Sequence, residues 1–112
     1  MSPNEYQKAC LRTENGTNNG YPRIFNAALG LCSEAGEAAG IVKKHYFQGH
    51  EFDSHHLLLE LSDCLWYIAV AADALGCDLE TVMRMNIDKL EKRYPELHFV
   101  SDRSVNRKEG DI

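Results

Sequence analysis

Four acidic residues, in two pairs, carry the chemistry this sequence can do. Glu34 and Glu37 stand three residues apart in GLCSEAGEAAG, and Glu60 and Asp63 repeat that spacing in LLLELSDCLWY. On a helix, such residues project from neighbouring points of one face. Pairs of this kind are common on solvated helix faces, and that is the plain alternative for each. The surroundings argue against it for the second pair, because Leu57, Leu58, Leu59, Leu61, Leu65 and Trp66 crowd around it. Taking a carboxylate out of water costs several kcal/mol unless something pairs with it. Four carboxylates brought together repel one another unless cations or protons neutralise them. Oxygen ligands without sulfur or a clear imidazole suit Mg²⁺, with Mn²⁺ as a substitute. Magnesium in such sites keeps several waters and binds substrate phosphates rather than sitting in a closed cage.

The elements that must position these acids are all helical. Ser2-Pro3-Asn4-Glu5 reads as a capping box with proline at the first helical position, so a first helix is expected from Pro3 to Arg12. Tyr6, Ala9 and Cys10 share its inner face. Thr13 to Pro22, rich in Asn and Gly, is expected to be a flexible connector, with a flap over a ligand as the alternative. A second helix follows from Arg23 to Gln48, with an apolar band through Phe25, Ala28, Leu29, Cys32, Ala35, Ala39 and Val42. Gly30, Gly36 and Gly40 each weaken that helix by roughly 1 kcal/mol relative to Ala, which suggests close approach of a neighbouring backbone or a ligand.

Gln48 to Asp53 reads as a turn, and Asp53 or Ser54 can cap a third helix from His55 to Leu75, stopped by Gly76. Asp78 is placed to cap a fourth helix, with Glu80 in its first turn and Pro95 at its end. Glu96 to Ile112 reads as a polar, irregular tail. The fold class is therefore all-α, a four-helix-bundle-like single domain over residues 1–112. If the second and third helices pack antiparallel, the two acidic pairs face one another.

Composition fits that picture. The chain has 112 residues, a size at which oligomer contacts are a plausible supplement to a modest core. The net charge is −5, and the four acids account for −4 of it, so no basic footprint for nucleic acid is evident. Cys10, Cys32, Cys64 and Cys77 show no Cys-x-x-Cys spacing and read as reduced thiols of a cytoplasmic protein. No signal peptide or membrane span is expected.

Taken together, GLCSEAGEAAGIVKK, LLLELSDCLWYI and MNIDKLEKRYP resemble the MazG-like nucleoside triphosphate pyrophosphohydrolases of the all-α NTP pyrophosphatase superfamily. The likeness runs from Asn4-Glu5-Tyr6-Gln7 through Arg107. It implies hydrolysis of a nucleoside triphosphate to the monophosphate and pyrophosphate, with Glu34, Glu37, Glu60 and Asp63 ligating Mg²⁺. It also implies a homodimer or homotetramer, an assembly that the all-round apolar third helix favours independently. The alternative is a non-catalytic nucleotide-binding or helical assembly module on the same fold.

Lys43, Asn86, Lys89 and Arg93 are the candidate substrate-binding residues, since basic side chains near a triphosphate act as point charges or forks. Lys44 and Lys92 read as solvated charges, and Trp66 and Tyr67 as core or subunit interface. Arg103, Asn106 and Arg107 echo a family tail motif and are expected either to close over phosphates, of this or a neighbouring subunit, or to lie in a disordered tail. His56 lies four residues before Glu60, which raises a di-iron carboxylate bundle as runner-up, but no Glu-x-x-His occurs in the chain. His45, His50, His55 and His98 read as surface residues. The base of the substrate, the identity of the general base, and attack at the α- or β-phosphorus all stay open.

Overall fold

Reciprocal capping starts the chain. The Ser2 hydroxyl accepts the Glu5 amide at 3.1 Å, and the Glu5 carboxylate accepts the Ser2 amide at 3.1 Å. The helix they open, α1, spans Pro3–Leu11. The computed structural model describes residues 1–112 and continues with α2 at Arg23–Gln48, α3 at Ser54–Ala74, α4 at Leu79–Arg93 and a short α5 at Ser101–Val105. There is no strand. Helix boundaries fall within about one residue of those the sequence implies, because strong local signals set them. Gly49 leaves α2 at φ 72°, the left-handed geometry that ends a helix. The Asp53 side chain caps α3 by accepting the His56 amide at 2.9 Å. Gly76, at φ 74°, follows the end of α3.

The chain forms two compact units, Met1–Leu79 and Glu80–Ile112. In the first, α3 packs against both α2 and α1. Cys10, Ala27, Ala69, Val70 and Leu79 are its buried core, flanked by Tyr6, Leu11, Trp66, Ile68 and Ala71. Most of these are small, so α2 and α3 approach closely. A buried glutamine ties the unit together. Gln7 donates to the carbonyls of Ala69 and Cys77, each at 3.1 Å, and accepts the Leu79 amide at 3.1 Å. A buried carboxamide with all three bonds made holds α1 against both ends of the turn after α3.

Antiparallel packing of α2 on α3 follows from which residues meet. Gly30 faces Tyr67, while the later Glu34 and Glu37 face the earlier Glu60. A Cβ on Gly30 would collide with the Tyr67 ring, so the close neighbour is an aromatic side chain rather than a backbone. Gly36 and Gly40 have no such neighbour within the chain. Nothing lies within 4 Å of where their Cβ atoms would be.

Residues 13–22 make specific contacts with the helices. Trp66 donates its indole N–H to the Thr13 hydroxyl at 2.9 Å. Arg23 grips both oxygens of Glu14 at 2.8 and 3.0 Å and reaches Asp73 at 2.7 Å. Asn18, Asn19 and Gly20 turn the chain with φ of 46°, 51° and 79°.

In the second unit, the residues after Pro95 depart from the irregular tail the sequence suggests. They hold α5, the Tyr94–Phe99 ring contact at 5.6 Å and an Arg103–Glu96 ion pair at 2.8 Å. No helix is long and apolar enough to cross a membrane.

Candidate metal centre

Ligand oxygens of Glu34, Glu37 and Glu60 all lie within 4.8 Å of one another. Two come from α2 and one from α3, so the helix pair itself builds the cluster. Glu60 is the buried member, with 8% of its surface exposed, and Glu37 is solvent-exposed. His56, one turn earlier on α3, donates its Nε2–H to Glu60 Oε1 at 2.8 Å and fixes that carboxylate. Sequence spacing placed His56 beside Glu60 but gave no reason to see it as an orienting donor.

The electrostatics report crowded negative charge. Glu34 has its pKa pushed above the ordinary carboxylate value, first by loss of solvent, then by the Glu37 charge, a hydrogen bond with Glu60 and the charges of Asp63 and Glu60. Asp63 is not among the three converging carboxylates and is exposed, yet its charge is felt at Glu34. It is also felt at Tyr6, whose pKa rises to about 12, chiefly through burial and the neighbouring Cys10. The sequence did not disclose this coupling of Tyr6, on α1, to an acid of α3.

This donor set fits a hard divalent cation. It is all oxygen, carries excess negative charge, and keeps an open, exposed side at Glu37. Oxygens around an octahedral magnesium lie about 3–4 Å apart, given metal–oxygen distances near 2.1 Å. The present separations need only a small contraction to match. Glu34, Glu37 and Glu60 can therefore hold a metal ion, with Asp63 one turn along α3 from Glu60.

The basic candidates are placed as follows. Lys43 is exposed on α2, two turns beyond Glu37. Asn86 and Lys89 are exposed on α4. Arg93 is not an open fork, as its guanidinium makes two bonds to Asp111 at 2.8 and 2.7 Å and a third to the Ile112 carbonyl at 3.3 Å. That pairing spans 18 residues and has no local sequence signal.

Comparison with known proteins bears on the same residues. The model of the MazG nucleotide pyrophosphohydrolase domain matches residues 26–98, a stretch that includes all four acids. "Gene 37 protein" of Mycobacterium phage L5 is 36% identical over 87 residues, covering 74% of this chain and 70% of that protein. No solved structure matches. With the family model matched across more than half of its length, the chain belongs to the MazG nucleotide pyrophosphohydrolase family.

Proposed function

We propose that the protein is a Mg²⁺-dependent hydrolase that converts a nucleoside or deoxynucleoside triphosphate to the monophosphate and pyrophosphate. The observation that carries this reading is the convergence of Glu34, Glu37 and Glu60 from two helices, in a chain of the MazG family. Glu34, Glu37, Glu60 and Asp63 are the residues assigned to the metal, with Mn²⁺ an acceptable substitute. When bound, the divalent ion neutralises phosphate charge and makes a water molecule acidic enough to attack phosphorus. The chain supplies the rest. His56 holds the Glu60 carboxylate in place. A carboxylate of the cluster not fully used as a ligand is suited to accept a proton from the attacking water. Lys43, Asn86, Lys89 and Arg93 are the side chains assigned to the substrate by this proposal, and Arg93 must part from Asp111 to serve. A role in clearing unwanted nucleotides from the cytoplasmic pool suits such a small enzyme.

Assembly as a homodimer or homotetramer belongs to the same proposal. Leu29 is 71% exposed on α2 and Leu58 63% exposed on α3, alongside Leu59, Leu61 and Leu65. Exposed leucines on both helices are the surface we assign to a contact between copies.

The test is a pyrophosphate-release screen of the purified protein with Mg²⁺ or Mn²⁺ across canonical and modified nucleoside triphosphates. Release from at least one substrate is expected, and Glu60→Gln or Asp63→Asn should abolish it while leaving the helical circular dichroism unchanged. Nucleotide binding at saturating metal without any turnover would instead support a binding module.

A further inference from the structure

The second unit carries its own concavity, of about 680 Å³, within the size range of small-molecule sites. One wall is a face of α4. Met85, Asp88, Lys89, Lys92 and Arg93 recur there at i, i+3, i+4, i+7 and i+8, the spacing of one helical stripe. Arg103 and Lys108 also line it. Five cations thus stand against three acids, Asp88, Glu109 and Asp111. None of the chain's ion pairs uses a lysine, so Lys89, Lys92 and Lys108 bring charge that no carboxylate offsets directly. A concavity with excess positive charge and a guanidinium fork suits an oxyanion.

One oxyanion already occupies it. The Arg93 guanidinium donates to both oxygens of the Asp111 carboxylate, at 2.8 and 2.7 Å. Two parallel bonds to one anion are also how a guanidinium takes a phosphate. The pair is shielded, with the two side chains only 10% and 15% exposed. The bonds from Arg93 hold the Asp111 carboxyl below its ordinary pKa despite loss of solvent, and the charges of Arg107 and Lys89 act in the same direction.

The chain is bent to deliver this carboxylate. The Asp111 amide donates to the Lys108 carbonyl at 3.1 Å and closes a tight turn. Gly110 sits within that turn at φ 85°, a geometry glycine adopts without steric cost. Arg93 also donates to the Ile112 carbonyl at 3.3 Å, so the guanidinium holds the segment by its backbone as well as by a side chain. A phosphate carries a charge of about −1.5 to −2 and three acceptor oxygens, more of both than a carboxylate. It can therefore displace Asp111 from the fork, and Asp111 can return when it leaves.

We propose that residues 108–112 form an autoinhibitory strap in which Asp111 stands in for a phosphate on Arg93. Nucleotide binding expels the Asp111 carboxylate, and its return shortens the stay of pyrophosphate. The proposal rests on the hydrolase reading above, which assigns Arg93 to the substrate.

Titration calorimetry of the full chain with inorganic pyrophosphate in EDTA reads this concavity without metal or turnover. A strap docked about 90% of the time weakens apparent affinity tenfold, so Asp111→Asn should bind pyrophosphate about tenfold tighter. Gly110→Ala keeps every charge but strains the turn, and should shift affinity in the same direction. Glu109→Gln removes an equal charge from the same lining and should change affinity about twofold or less. Adding Arg93→Gln to Asp111→Asn should abolish the gain. Under turnover with Mg²⁺, Asp111→Asn should lower both the KM for triphosphate and the inhibition constant of pyrophosphate about tenfold.

If triphosphate is cleaved but Asp111→Asn binds pyrophosphate no tighter than wild type, with helical circular dichroism intact, the strap is overturned and the hydrolase reading stands. Equal gains from Glu109→Gln and Asp111→Asn would overturn it too, since general charge would then explain both. Should Asp111→Asn lose helix content, Gly110→Ala decides alone, and no gain in its affinity overturns the strap. If no triphosphate is cleaved but the pyrophosphate gain is seen, the hydrolase reading falls and the strap stands as a gate on an anion site.

Discussion

Glu34 sits half-buried with Glu37, Glu60 and Asp63 around it, and both loss of solvent and neighbouring charge raise its pKa. The direction has a consequence for stability. A carboxyl that holds its proton more tightly in the folded protein than in the unfolded chain stabilises the fold below the unfolded value. That contribution is lost as pH rises through the raised folded value. Melting of the metal-free protein should therefore occur at progressively lower temperature as pH climbs from the ordinary carboxylate range through the Glu34 titration. Glu34→Gln should remove that dependence, and added Mg²⁺ should restore stability at the higher pH in the wild type only. A pH–melting curve unchanged by Glu34→Gln would show that the cluster is not a site of unrelieved charge. The acids themselves were legible in the sequence, since their spacing and apolar neighbours singled them out. Tyr6 and His56 were less so, because their roles depend on which side chains meet across helices.

At the scale of elements, the α2–α3 pair is the device that builds the site, and its three central glycines test the packing. Gly30→Ala is expected to destabilise the protein. Its methyl group would meet the Tyr67 ring, and overpacking costs about 1–3 kcal/mol, outweighing the roughly 1 kcal/mol gained from helix propensity. Gly36→Ala and Gly40→Ala meet nothing and should stabilise the separate chain by up to about 1 kcal/mol each. Urea denaturation at protein concentrations low enough to keep chains apart would check all three, and equal effects at the three positions would contradict the packing described. Here the sequence was only partly readable. Three glycines announced an unusual helix, but which of them meets a neighbour depends on the face turned toward α3. Helix ends were plain because Ser2, Asp53, Gly49 and Pro95 act locally. The Arg93–Asp111 pairing and the three bonds of Gln7 join residues far apart in the chain, and no local pattern encodes them.

For the whole molecule, the exposed leucines of α2 and α3 set the expectation. Leu29, Leu58, Leu59, Leu61 and Leu65 are all solvent-exposed, and the buried core is made mostly of small residues. Static light scattering at micromolar concentration should give the mass of at least two chains, and a monomer would contradict the proposed assembly. Replacing Leu58 and Leu61 with Lys should lower that mass, since charges buried at a contact are strongly unfavourable. The apolar third helix made this expectation visible in the sequence, while the geometry of the contact belongs to a second copy and leaves no periodic trace in one chain.

Whether the carboxylates of α2 and α3 hold a metal for cleavage between the α- and β-phosphates is read from the products by ³¹P NMR. Nucleoside triphosphate supplied with Mg²⁺ should give the signals of the monophosphate and pyrophosphate in equal amounts, and the Glu60→Gln protein should give neither. Diphosphate and inorganic phosphate as products, or unchanged turnover by Glu60→Gln, would overturn the proposed reaction.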